Sequence, residues 1–197
     1  MSLTSRWVNI LYRVATGSRP VRNFFTPVGA FLFSLFVFGF VAMGLYLDRM
    51  IGLTDIFPER LNVILSVPFF SLALFLIGWS LYHFFKVKGT PVPFNPPPKL
   101  VTTGPYAFSR NPMLAGIFAL LFGLGFLFES FSLVVVFTPL FILFNFWELK
   151  TIEEPELVKR LGQEYIAYRE MTPMFFPRFR SKNGQKGHNR SNRFWDK

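Results

Sequence analysis

The apolar positions of this chain come in uninterrupted blocks, with no helical or strand period. Val28–Leu47 runs 20 residues without a charge, and Leu61–Phe85 runs 25. At roughly 1.5 Å per residue, either block crosses a hydrocarbon core of about 30 Å as a helix. Two shorter uncharged runs follow, Met113–Phe128 and Ser130–Trp147, of 16 and 18 residues. They meet at Glu129-Ser130, which reads as the tip of a tight helical hairpin that either crosses thinly or packs on the first two helices. Past Trp147 the pattern changes. Leu157, Leu161 and Tyr165 recur at spacings of four, with Tyr168 on much the same face. That spacing predicts an amphipathic helix beginning near Pro155, with acid in its first turn where the helix dipole favours it. The predicted fold is an all-α membrane protein of four transmembrane helices, the last two a short hairpin, plus a cytoplasmic amphipathic C-terminal helix. Three regions result: residues 1–87 with the N-terminal segment and first two spans, 88–177 as a catalytic half, and 178–197 as a basic flexible tail.

Composition agrees. The 197 residues are 51% hydrophobic and include 28 Phe, and only 16% are charged, against about 25% in a soluble domain. The first 27 residues have no continuous apolar region or cleavage site of a leader, so Val28–Leu47 is expected to serve as an uncleaved anchor. Cysteine is absent, which removes disulfides, thiolate nucleophiles and cysteine-ligated metals. His83 falls in a span and His188 in the tail, so no metal site is expected.

The net charge of +10 is mostly topology. The N-terminal segment has Arg6, Arg13, Arg19 and Arg22 and no acid, and the connection 86–112 has Lys86, Lys88, Lys99 and Arg110 and no acid. The segment after Trp147 holds eleven Lys and Arg. The loop 48–60 and the hairpin tip carry most of their charge as Asp48, Asp55, Glu59 and Glu129. This bias puts both termini and the 86–112 connection in the cytoplasm, and the short loops suit a bacterial inner membrane. The expected partner of the positive charge is the bilayer surface, with no nucleic acid and no metal.

Three polar segments then share one membrane face. Residues 88–112 hold seven prolines and two glycines, a density that excludes a regular helix and favours a stiff, extended path. Gly104-Pro105 signals a turn, and Asn111-Pro112 a helix start. Glu148, Glu153, Glu154 and Glu156 cluster just past the last apolar run. Because the hairpin is short and antiparallel, Arg110-Asn111 should fall beside Glu148–Glu154. A guanidinium, an amide and several carboxylates would converge at the lip of an apolar bundle, where ionisable groups are costly and are candidates for function. Such a site fits a ligand with an amino group, a carboxylate and a ribose; a plain Arg–Glu bridge locking the hairpin fits it as well.

NPPPKLVTTGPYAFSRNPMLAG followed by EEPELVKRLGQEYIAYREMTPMFFP resembles the integral-membrane methyltransferases of the isoprenylcysteine carboxyl methyltransferase and phospholipid N-methyltransferase superfamily. The likeness covers roughly residues 89–177. It implies methyl transfer from S-adenosylmethionine to a lipid-like acceptor. It also implies cofactor-binding roles for Gly104, Pro105, Tyr106, Arg110, Asn111, Pro112, Glu153 and Glu154, with Arg110, Glu153 and Glu154 closest to the chemistry. Two positions depart from the pattern: Leu114 stands where relatives commonly have Tyr, and Asn111 where many have His. With no Cys, no His in this half and no obvious base beyond the Glu cluster, the acceptor is expected to arrive deprotonated, which tilts the reading toward a carboxylate.

Two alternatives remain open on the sequence. Membrane sterol reductases that use NADPH resemble the same C-terminal pattern, but their extra phosphate calls for further Arg or Lys near the site. A non-catalytic four-helix scaffold is the other, kept open by Leu114. A transporter is disfavoured because no span carries a buried charge.

Overall fold

The computed structural model describes residues 3–53, 58–87, 89–97 and 99–175. The basic tail 178–197, with His188, lies outside the described residues. Among those described, regular structure is entirely helical: α1 (Leu3–Ala15), α2 (Arg19–Ile51), α3 (Glu59–Lys86), α4 (Pro112–Leu127), α5 (Thr138–Glu148), α6 (Glu154–Leu161) and α7 (Gln163–Met171). Three helical stretches are long and apolar enough to cross a membrane: Arg19–Ile51, Arg60–Lys86 and Leu133–Leu161. α4 has 16 residues, or about 24 Å of helix, which is short of a full hydrocarbon thickness.

α2 is longer than its apolar block. It runs 33 residues from a Pro-containing first turn to Gly52, whose φ of 68° ends it in the left-handed conformation. Its surface is apolar and exposed, with Phe31 and Phe38 each at 67%, as suits a helix whose outer face meets lipid.

α4 packs closely along α3. A Cβ on Gly116 would stand 2.9 Å from Ile77, and one on Gly123 3.2 Å from Phe70. Small residues thus let two helices approach where packing, not burial from water, drives association. α4 turns at Glu129, a non-glycine residue at φ 56°, and the chain returns antiparallel. Gly125 faces Val134, and Phe118 meets Phe141 with ring centroids 6.0 Å apart. The core of Val41, Phe118, Leu121, Leu133 and Phe141 lies where α2, α4 and this returning helix meet.

Three features depart from the sequence reading. First, the N-terminal segment forms an amphipathic helix, α1, that the search for apolar blocks passed over. Second, the helix expected to begin near Pro155 is the continuation of the last span through a π-helical turn, Leu149–Glu153. Pro155 is tolerated because it falls in the first turn after that π segment, and the helix breaks instead at Gly162, with φ 59° and ψ −132°, a region open only to glycine.

Third, a charge is buried in a long helix. Asp48 of α2 is buried and accepts from the Ser130 hydroxyl and from the Ser132 backbone N–H at 3.0 Å. It caps the start of the returning helix, satisfying donors that no turn precedes. His83 lies in the last turn of α3. Its Nδ1 lies 3.0 Å from the Trp79 carbonyl oxygen, and its ring packs on Gly104, where a Cβ would stand 2.2 Å from Nε2.

Candidate active site

The segment before α4 is held in place from two sides. Gly104, at φ 62°, opens a 3-10 turn, Gly104–Ala107, and the absence of a side chain there admits the His83 ring. Further on, the chain is clasped to the segment after α7. The Arg110 N–H donates to the Pro173 carbonyl at 2.9 Å and the Asn111 N–H to that of Met174 at 3.1 Å. The Ser109 hydroxyl donates to the same Met174 carbonyl at 3.0 Å. Asn111 thereby spends its polar groups on backbone and gives no side-chain cap to α4.

This framework aims Arg110 at Glu154. Nη1 lies 2.5 Å from Oε1, and both side chains are about 10% exposed. Arg169, from α7, stands 4.0 Å from the other carboxylate oxygen. The Tyr165 hydroxyl is within hydrogen-bonding reach of the Arg110 guanidinium. Nε of Arg110 is buried, and among the described residues it has no hydrogen-bond partner.

The ion pair sits in the wall of a cleft of about 110 Å³ that opens to solvent. α3 contributes Phe84, and the Pro-rich segment from Thr90 to Pro97 forms the roof. The turn before α4 supplies Tyr106, Arg110 and Asn111. The π-helical turn and α6 supply Leu149, Glu153, Glu154, Glu156 and Arg160, and α7 supplies Tyr165 and Tyr168. A π turn bonds i to i+5 and so adds a residue to the turn; here it turns Glu153 and Glu154 toward the cleft within a helix that began in the apolar bundle. The roof is closed on itself, with the Thr90 hydroxyl donating to the Asn95 carbonyl at 2.8 Å. It is pinned to α2 by Phe94, whose ring leaves only 2.6 Å to where a Cβ on Gly29 would stand.

Of the residues expected at the site, Tyr106, Arg110, Asn111, Glu153 and Glu154 line the cleft. Gly104, Pro105 and Pro112 do not; they set the backbone that carries the others. Glu148 is likewise outside the lining. Leu114 packs against the core and stands away from the cleft, so the missing Tyr hydroxyl changes the bundle and not the cleft wall. Glu156, Arg160, Tyr165 and Tyr168 complete the lining. The placing of Tyr165 and Tyr168 on one face with Leu157 and Leu161 was visible in the sequence, but nothing there separated a packing face from a binding one.

Burial pushes the phenols of Tyr106, Tyr165 and Tyr168 well above their ordinary value, so each is a neutral hydroxyl near neutral pH. Glu156 accepts from Arg160 Nε at 2.9 Å, leaving Glu153 as the acid in the wall for which no cation partner is drawn in. Among the described residues no group of three or more His, Cys, Asp or Glu is placed to hold a metal ion.

A cleft with one orphaned guanidinium N–H, carboxylates and neutral phenols is matched to a ligand carrying both a carboxylate and amino or hydroxyl groups. S-adenosylmethionine has these groups, so the residues present fit it.

Comparison with known proteins points the same way. The family described as phospholipid methyltransferase matches residues 61–164, from α3 to the start of α7. The nickel-cobalt-cadmium resistance protein NccN of Alcaligenes xylosoxydans xylosoxydans is 36% identical over 88 residues, which is 43% of this chain and 40% of that protein. The chain therefore covers less than half of that relative.

Proposed function

The chain belongs to the phospholipid methyltransferase family, and from that premise we propose that it moves the methyl group of S-adenosylmethionine to a lipid-like acceptor at the membrane face that bears the cleft. The observation that carries this reading is the Arg110–Glu154 pair, set in a cleft wall with a spare buried donor on Arg110. When bound, the cofactor would supply an electrophilic methyl on a sulfonium, to which the acceptor nucleophile bonds in line as the C–S bond breaks and S-adenosylhomocysteine leaves.

The chain's own residues bind, orient and exclude water. Arg110 would donate through its free Nε to the methionine carboxylate, while Glu154, itself steadied by Arg169, holds the guanidinium in place. Glu153 would accept from the ammonium or the ribose hydroxyls. The phenol of Tyr165 remains a protonated donor, while that of Tyr168 is spent on the Tyr106 carbonyl. The Pro-rich roof limits water above the reacting atoms, so positioning and desolvation supply the rate enhancement. The lining holds neither Cys nor His, which supports an acceptor that is already anionic, a carboxylate. The Lys/Arg bias supports four crossings, with α4 as the short one, and a cytoplasmic cleft with both termini on that side. The short loops support a bacterial inner membrane.

A second reading, an NADPH-dependent reductase, draws on Lys99 and Arg160 in the lining, the additional cations a further phosphate would need. Arg160 is already engaged by Glu156, which favours the methyltransferase.

Calorimetric titration of S-adenosylmethionine, S-adenosylhomocysteine and NADPH into detergent-purified protein separates the two readings. Saturable binding of the first two, followed by transfer of labelled methyl into a lipid extract, is the expected result. Binding of NADPH alone would overturn the proposal.

A further inference from the structure

Helix α1 carries an apolar row that no described residue covers. Leu3, Trp7 and Ile10 are 74%, 58% and 49% exposed, and their spacings of four and three put them on one face. Arg6 and Arg13 are exposed at the edge of that face. The other side of the helix is occupied. Leu11 and Ala15 are buried, Asn9 accepts from Lys159 Nζ at 2.7 Å, and the same ammonium stands 4.3 Å from the centre of the Tyr12 ring. Lys159 belongs to α6, one of the helices that line the cleft. α1 is therefore fixed on the face of the molecule that bears the cleft and cannot roll its exposed row into the bundle.

What covers the row follows from continuity and charge. After the short link 16–18, α2 begins at Arg19 and at once exposes Val21 and Phe24, the start of a helix apolar enough to cross a membrane. The apolar medium nearest to Leu3, Trp7 and Ile10 is thus the bilayer that α2 enters. Arg6, Arg13, Arg19 and Arg22 are followed by no acidic residue before Asp48 and form no ion pair among the described residues, which suits a surface that supplies negative charge. A helix with an apolar row, a Trp and flanking arginines suits the headgroup boundary of a membrane better than its interior.

We propose that α1 lies along the membrane surface, with Leu3, Trp7 and Ile10 among the ends of the acyl chains and Arg6 and Arg13 on anionic lipid headgroups. The inference concerns where the chain meets lipid and does not depend on the reaction in the cleft. Because Lys159 ties α1 to α6, the same contact anchors one wall of the cleft to the bilayer surface.

The chain has no cysteine, so a single introduced one reports cleanly. The full protein carrying Ile10→Cys, spin-labelled, is placed in nanodiscs of phosphatidylcholine alone or with a third of phosphatidylglycerol. Power saturation is then read with oxygen, which concentrates in lipid, and with a water-soluble nickel chelate. Trp7→Cys is a second reporter on the same row, and Phe31→Cys on α2 marks full lipid exposure. In the mixed discs both α1 labels should favour oxygen over nickel several-fold. The Arg6→Gln/Arg13→Gln background should need a several-fold larger anionic share for the same ratio, on the order of one screened charge contact per arginine. Labels open to nickel in both lipids would overturn the proposal. So would labels shielded from both reagents, which would mean a protein surface or a second copy on the row, and so would equal ratios in the two lipids.

Discussion

The hydroxyl of Tyr168 donates to the backbone carbonyl of Tyr106 at 2.7 Å, joining the helix after the Gly162 break to the turn that precedes Arg110. This bond ties together two polar segments 62 residues apart. Both residues are buried. Tyr168→Phe keeps the ring packing and removes the donor, leaving a buried carbonyl unpaired. The expected loss is about 1–2 kcal/mol, seen as a lowered thermal midpoint in detergent, with weakened S-adenosylmethionine binding. An unchanged midpoint would mean that the carbonyl finds another donor.

The ion pair of Arg110 and Glu154 can serve as a ligand clamp, as a hairpin lock, or as both, and a double variant separates these roles. Glu154→Leu alone leaves a buried guanidinium short of a partner and should cost about 3 kcal/mol. Arg110→Met/Glu154→Leu removes both charges and should recover most of that stability. If the pair binds cofactor, calorimetric binding is lost in the single and the double variant alike. A stable double variant that still binds S-adenosylmethionine would make the pair a lock alone.

Gly162 has nothing within 4 Å of where a Cβ would stand, so Gly162→Ala meets no clash and its effect is purely one of backbone conformation. At φ 59° and ψ −132° the penalty should be about 1–3 kcal/mol. Relief of that strain by straightening α6 into α7 would swing Tyr165 and Tyr168 away from the cleft. Thermal unfolding together with cofactor titration checks both parts, and full binding at wild-type stability would refute the role given to this break.

Asp48→Ala removes the carboxylate that accepts from the Ser130 hydroxyl and the Ser132 N–H. Hydrogen bonds to a charged acceptor at a helix start make a loss of about 2 kcal/mol the expected result. Asp48→Asn should lose less, because its carbonyl can still accept. Cofactor affinity should be nearly unchanged in both, since Asp48 lies outside the cleft lining.

Stability should also fall in alkali. Burial raises the phenols of Tyr106, Tyr165 and Tyr168, whereas in the unfolded chain they ionise near pH 10. Above that pH the unfolded state sheds protons that the folded state keeps, so the stabilisation present below about pH 10 drains away as pH rises toward the folded values. The thermal midpoint should decline with a steeper slope in the parent than in Tyr165→Phe. Parallel slopes would mean that Tyr165 titrates normally.

Much of the site was legible because it rests on local chemistry. Arg110 before an Asn-Pro helix start, and Glu153-Glu154 after an apolar run, needed only the short antiparallel return of the chain to be brought together. The cleft's roof was legible only as an extended segment, since its closure depends on Thr90 meeting Asn95 and on Phe94 finding Gly29 in a distant helix. The wall residues Tyr165 and Tyr168 sat in view on an amphipathic face, and no local pattern tells a face that packs from one that binds.

By itself the sequence determined the membrane character and the long helices, because a run of apolar residues has no other way to satisfy its backbone in lipid. It determined equally where the polar chemistry would gather, since charges are expelled from those runs to their ends. Only the tertiary structure decided that the C-terminal helix continues the last span and breaks at Gly162, that Asp48 is buried as a cap, and that α1 docks on α6. Each of these depends on a partner far along the chain: Ser130 and Ser132 for Asp48, Lys159 for α1, and for Gly162 the pull of the Tyr168–Tyr106 bond on the helix beyond it.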